Sequence, residues 1–160
     1  MNAIILDDKL NLTWEKVPNP VRKDNKILIK VAAAAVNCAD LLQKDECCAS
    51  PPDWPPGCGL ECSGVVEEAP ENSRFKVGDD VCALLGGGYS QYVTVPEGMV
   101  MPAPEKMDIV LASGLSEVGA TAYLNINIKA GGLIENDIFL FRQEQAESTL
   151  LLSSWQNLPE

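Results

Sequence analysis

Between Lys26 and Pro96 the chain repeats one pattern. Short apolar, β-branched runs alternate with turns built from glycine and proline. "KILIKVAAAAV" (Lys26 to Val36), "ECSGVVEEA" (Glu61 to Ala69), "VCALL" (Val81 to Leu85) and "YSQYVTVP" (Tyr89 to Pro96) each have strand length. In the last run Tyr89, Gln91, Val93 and Val95 fall on one face by alternation. Upstream, "AIIL" (Ala3 to Leu6) and "LTWEKV" (Leu12 to Val17) read as a strand and its hairpin partner. Gly64, inside its run, marks a bulge or a close backbone approach. "GGG" (Gly86 to Gly88) precedes a strand rather than opening a helix, so it reads as a flexible hairpin turn and not a phosphate loop.

Helical signals are few. "CADLLQK" (Cys38 to Lys44) reads as a short helix with Asn37 as N-cap. "CCASPPDWPPGCG" (Cys47 to Gly59) is irregular by its prolines and glycines. Late in the chain, "KMDIVLASGL" and "EVGATAYLNINIKAG" read as helices, the second stopped by Gly131 and Gly132. The pattern predicts a mainly β fold with some α, a barrel-like domain followed by trailing helices. After the polar turn "IEN", "DIFLF" (Asp137 to Phe141) reads as one further buried strand.

Composition excludes several functions. A net charge of -11, with lysine and arginine scattered, argues against nucleic acid and anionic membranes. Apolar runs fall short of the roughly 20 residues a membrane helix needs. The acidic pair in "MNAIILDDKL" interrupts what a signal peptide would continue. A cytoplasmic location is therefore expected, with the six cysteines as reduced thiols. With no histidine there is no Ser-His or Cys-His nucleophile.

The segments "VAAAAVNCADLLQK", "GLECSGVV", "FKVGDDVCALLGGGYSQYVTVPEG" and "MPAPE" stand in one order and spacing. In this the chain resembles the zinc-independent quinone oxidoreductases of the medium-chain dehydrogenase/reductase superfamily, in particular the p53-inducible NADPH:quinone oxidoreductase type. The likeness runs from about Met1 to Phe141. It implies a GroES-like catalytic domain over residues 1–130. The first strand of a Rossmann domain would then lie at 131–141, an incomplete start of the fold that binds NADPH. The implied activity is hydride transfer from NADPH to a quinone or a similar electrophile. Asn37 and Asp40 correspond to the catalytic segment "NRAD" of such enzymes. Asn37 would also hydrogen-bond the cofactor, and Asp40 would fix the loop. Thr121 corresponds to a threonine near the nicotinamide. Read from the residues alone, Asn37 is equally a helix cap, Asp40 a first-turn acid and Thr121 an ordinary helix position. Cys38 replaces an arginine of the family, and Cys48 stands nearest its substrate-side tyrosine. The zinc-dependent relatives' cysteine and histidine ligands correspond to Asn37 and Leu60, so no catalytic zinc is expected. Cys47, Cys48, Cys58 and Cys62 lack the paired spacing of structural zinc.

Residues 142–160, "RQEQAESTLLLSSWQNLPE", contain no glycine where a dinucleotide turn needs several. Read one base out of step, however, their codons allow "AGASGV-x-TAAIQLAK-[LF]-AG", which resembles the family's glycine turn and following helix. The boundary Trp155/Gln156 must give Ala in that frame. Only x, at Ser148/Thr149, cannot give the family's glycine. A frame-shifted tail is expected, leaving this chain with little NADPH binding and little turnover. The alternative expectation is a non-catalytic fragment that binds a full-length relative as a decoy subunit, in a homo- or hetero-dimer.

Overall fold

A computed structural model describes residues 1–7, 11–23, 25–44 and 57–134. "DIFLF", the tail from 142 onward and Cys47 and Cys48 lie outside the described residues. The chain forms two compact units, Met1–Ser116 and Glu117–Glu160.

The first unit is dominated by antiparallel sheet. β1 (Asn2–Leu6) and β2 (Leu12–Lys16) form a hairpin in the register Ile4 opposite Trp14. β3 (Lys26–Ala34), β4 (Glu61–Glu68), β5 (Asp80–Leu84), β6 (Tyr92–Pro96) and β7 (Val100–Pro102) form a five-stranded sheet in the order β6-β3-β4-β5-β7. The bridge between Ala3 and Ser90 joins the hairpin to the approach of β6. This is the curled, barrel-like sheet that the strand pattern predicts.

The core follows from alternation along these strands. Ile27 and Ile29 of β3, Cys62 and Val66 of β4, Val81 and Ala83 of β5, and Val93 and Val95 of β6 cluster with Phe75, Leu85 and Val100. Side chains between them point to the other face. On β4 that second face is covered as well, since Glu61, Cys62, Ser63 and Gly64 are all buried. Gly64 allows the close approach its position suggests: a Cβ there would stand 2.2 Å from the Lys30 carbonyl oxygen. The β3–β4 register also slips between Val31 and Ala33, beside Gly64.

Two expectations change. Gly86 to Gly88 do not form a hairpin turn, because β5 pairs with β4 and β7 whereas β6 pairs with β3. The glycines carry the chain from one side of the sheet to the other. They are pinned on the way, with Gly88 N–H donating to the Gly59 carbonyl at 2.9 Å. "KMDIVLASGL" does not form an α-helix. Asp108 Oδ1 accepts the Val110 N–H at 2.8 Å, which caps the backbone locally, and only a 3-10 turn over Leu111–Gly114 follows.

Leu115–Gly119 is a π-helical turn. In the second unit, α2 (Ala120–Tyr123) continues into a π-helical turn over Leu124–Lys129. The stop at Gly131 and Gly132 is present. Both adopt positive φ, and Gly132 N–H donates to the Ile126 carbonyl at 2.8 Å. Among the described residues no helix is long and apolar enough to cross a membrane.

Candidate functional site

The second face of β4 carries polar side chains under cover. α1 (Cys38–Lys44) begins where β3 ends, and Asn37 is the joint between them. An amide or carboxylate at such a place is ordinarily solvated, yet Asn37 and Asp40 are 4% and 3% exposed and Glu61 is wholly buried. Buried polar groups of this kind persist only when hydrogen-bonded.

The bonds form a short chain. Asn37 Nδ2 donates to Glu61 Oε1 at 3.0 Å, and Asn37 N–H donates to Asp40 Oδ2 at 2.7 Å. The Tyr89 hydroxyl donates to the same Asp40 oxygen at 2.8 Å and lies 3.3 Å from the Ala35 carbonyl. Asp40 Oδ1 is buried with no hydrogen-bond partner among the described residues. The Asn37 side chain therefore serves β4, while Asp40 supplies the bond that closes the helix start.

Neighbouring thiols feel these carboxylates. Burial pushes the Cys62 thiol up to about 12, helped by Cys82 and Glu61. Burial, then Glu61, raises Cys82 to about 11. Cys58 is raised by burial and then by Asp40. All three stay protonated near neutrality, as poor nucleophiles.

Asn37 and Asp40 thus stand together, as adjacent members of one buried network. Thr121 lies in the second unit, exposed on α2, its carbonyl accepting the Asn125 amide at 3.0 Å. Glu61 and Tyr89 were not singled out from the sequence. A carboxylate opening an apolar strand directly after "GCGL" was the available signal for Glu61. For Tyr89 it was an aromatic directly after three glycines.

A curled antiparallel sheet with a buried amide–carboxylate turn at the β3–α1 joint describes a GroES-like domain. Residues 23–105 match the alcohol dehydrogenase GroES-like domain family, and the chain belongs to that family. Pig quinone oxidoreductase is 34% identical over 122 residues, which is 72% of this chain and 37% of the relative. The solved human synaptic vesicle membrane protein VAT-1 homolog-like protein aligns with a TM-score of 0.73 at 26% identity, over 84% of this chain and 45% of its own. A mycobacterial protein solved in complex with NADPH aligns with a TM-score of 0.84 over 97% of this chain and 49% of its own; at 22% identity it shares the fold. The expected likeness to quinone oxidoreductases of the medium-chain dehydrogenase/reductase superfamily holds. The chain spans 32 to 37% of the length of the quinone oxidoreductases it matches.

The positions expected for two zinc ligands hold Asn37, whose amide nitrogen is a donor to Glu61, and Leu60. Among the described residues no three histidine, cysteine or acidic side chains are grouped to hold a metal.

Proposed function

We propose that this chain carries the substrate-side domain of an NADPH-dependent quinone oxidoreductase. The observation that supports it best is the buried network of Asn37, Asp40, Glu61 and Tyr89 in a domain similar to the quinone oxidoreductases. NADPH would supply the hydride, and the protein would supply orientation and polarity. Asn37 has two amide hydrogens and gives one to Glu61, so the second is the group available to a carbonyl-type acceptor. Asp40 holds the Asn37 backbone so that this amide keeps its direction. Asn37 is the described residue of the first unit assigned to the nicotinamide end.

The 160-residue chain itself should bind NADPH weakly, because residues 142–160 offer no glycine for a pyrophosphate turn. Fluorescence titration should show no saturation below about 1 mM, equivalent to about 4 kcal/mol. Tight binding would overturn that expectation. Quinone recognition is tested with tetramethyl-1,4-benzoquinone, whose substituted ring resists thiol addition. It should shift the Asn37 side-chain amide signals in a 1H–15N spectrum. If those signals stay unmoved at saturating quinone, the assignment of Asn37 fails.

A further inference from the structure

Tyr89 is held more firmly than a strand-edge aromatic needs to be. Its carbonyl accepts the Ile4 N–H of β1 at 2.8 Å, and its own N–H donates to the Cys58 carbonyl at 3.1 Å. Its ring and backbone lie against Gly59, where a Cβ would stand 2.8 Å from Tyr89 Cδ1 and 2.7 Å from Tyr89 N. Gly59 also has a φ of +101°, so the position is reserved for glycine both by conformation and by space. Two separate segments thus fix the backbone and ring of one tyrosine. Its hydroxyl reaches residues on both sides of Asn37 in sequence, the Ala35 carbonyl and the Asp40 carboxylate. Both donors recorded on Asp40, the Asn37 N–H and the Tyr89 hydroxyl, share Oδ2, whereas Oδ1 has no partner among the described residues. Among the described residues, the hydrogen bonds that set its rotation are therefore these two.

We infer that Tyr89 is a positioning residue, which orients the Asp40 carboxylate and through it the Asn37 turn. This rests on the reading of Asn37 as the ligand-facing group, but its test needs no ligand. Tyr89→Phe keeps the ring and removes one donor. Hydrogen exchange of the Asn37 backbone amide should then speed about tenfold, as expected for losing roughly one hydrogen bond's support. The core amide of Val66 should be unaffected, and the Asn37 side-chain signals should shift. Equal acceleration at Asn37 and Val66 would mean a merely structural tyrosine, and no change at Asn37 would also overturn the inference. If Tyr89→Phe does not fold, the wild type decides. Its Tyr89 hydroxyl proton should give a slowly exchanging signal with a nuclear Overhauser contact to the Asp40 β protons, and its absence refutes the assignment. If wild type ignores the quinone while Asn37 still responds to Tyr89→Phe, the functional reading fails and the positioning role stands.

Discussion

Asn37 gives its amide to a carboxylate that solvent does not reach. Removing that donor leaves Glu61 short of one partner, and an unsatisfied buried polar group costs about 1–3 kcal/mol. Asn37→Ala should therefore lower stability by about that much in urea unfolding, and Asn37→Ala combined with Glu61→Gln should lose less than Asn37→Ala alone. Thiol labelling gives a second check at this scale. Cys38 is exposed, whereas Cys58, Cys62 and Cys82 are buried with raised pKa. Iodoacetamide at pH 8 should mark Cys38 well before those three in peptide maps, and early marking of Cys62 would contradict its burial. From the residues alone Asn37 and Asp40 read as a helix cap and a first-turn acid, and only the resemblance to "NRAD" marks them as a site. Glu61 and Tyr89 were not legible in either way. Glu61 is an ordinary acid until β4 is known to be covered on both faces, and Tyr89 meets Asp40 only across 49 residues of chain.

Single strands were legible for the same local reason, since β1 to β6 fall within or close to the runs read as strands. Pairing partners were not. Nothing in "GGG" says whether the chain turns back or crosses the sheet; the answer depends on β3 already being flanked by β4 on one side and open to β6 on the other. The first of the late helices misled because its pattern ignores the cap that Asp108 places on Val110, whereas the second is helical as expected. Gly64 gives the test at element scale. With a Cβ 2.2 Å from a backbone oxygen, Gly64→Ala must push β3 and β4 apart. A loss of about 3 kcal/mol is expected, at the upper end for overpacking. Gly78, with nothing near its Cβ position but a φ of +95°, should lose about 1 kcal/mol as Ala through backbone strain alone. Equal melting losses for the two variants would show that the approach at Gly64 does not limit the sheet.

For the molecule as a whole, the buried thiols set an alkaline limit. The Cys62 pKa rises from an ordinary 9.0 to about 12 on folding, so the folded chain holds this proton longer than the unfolded one. That contribution is fully present below pH 9 and is lost as pH climbs toward 12, at up to about 1.4 kcal/mol per pH unit. Cys82 acts in the same direction between 9.0 and about 11. Stability measured by urea should be level through neutrality and fall above pH 9, and Cys62→Ala should flatten the fall. The strand order has a consequence of another kind, in time. β3 must hold Lys26 against Pro96, so the sheet cannot complete until about seventy residues of intervening chain are gathered in. Such topologies fold in milliseconds to seconds rather than microseconds. Asn37 and Glu61 can meet once β3 pairs with β4, whereas Tyr89 joins them at the later closure. Local helix and hairpin formation can begin earlier, but the hydroxyl of Tyr89 reaches Asp40 only when β6 arrives, so the birth of the site reports the end of folding.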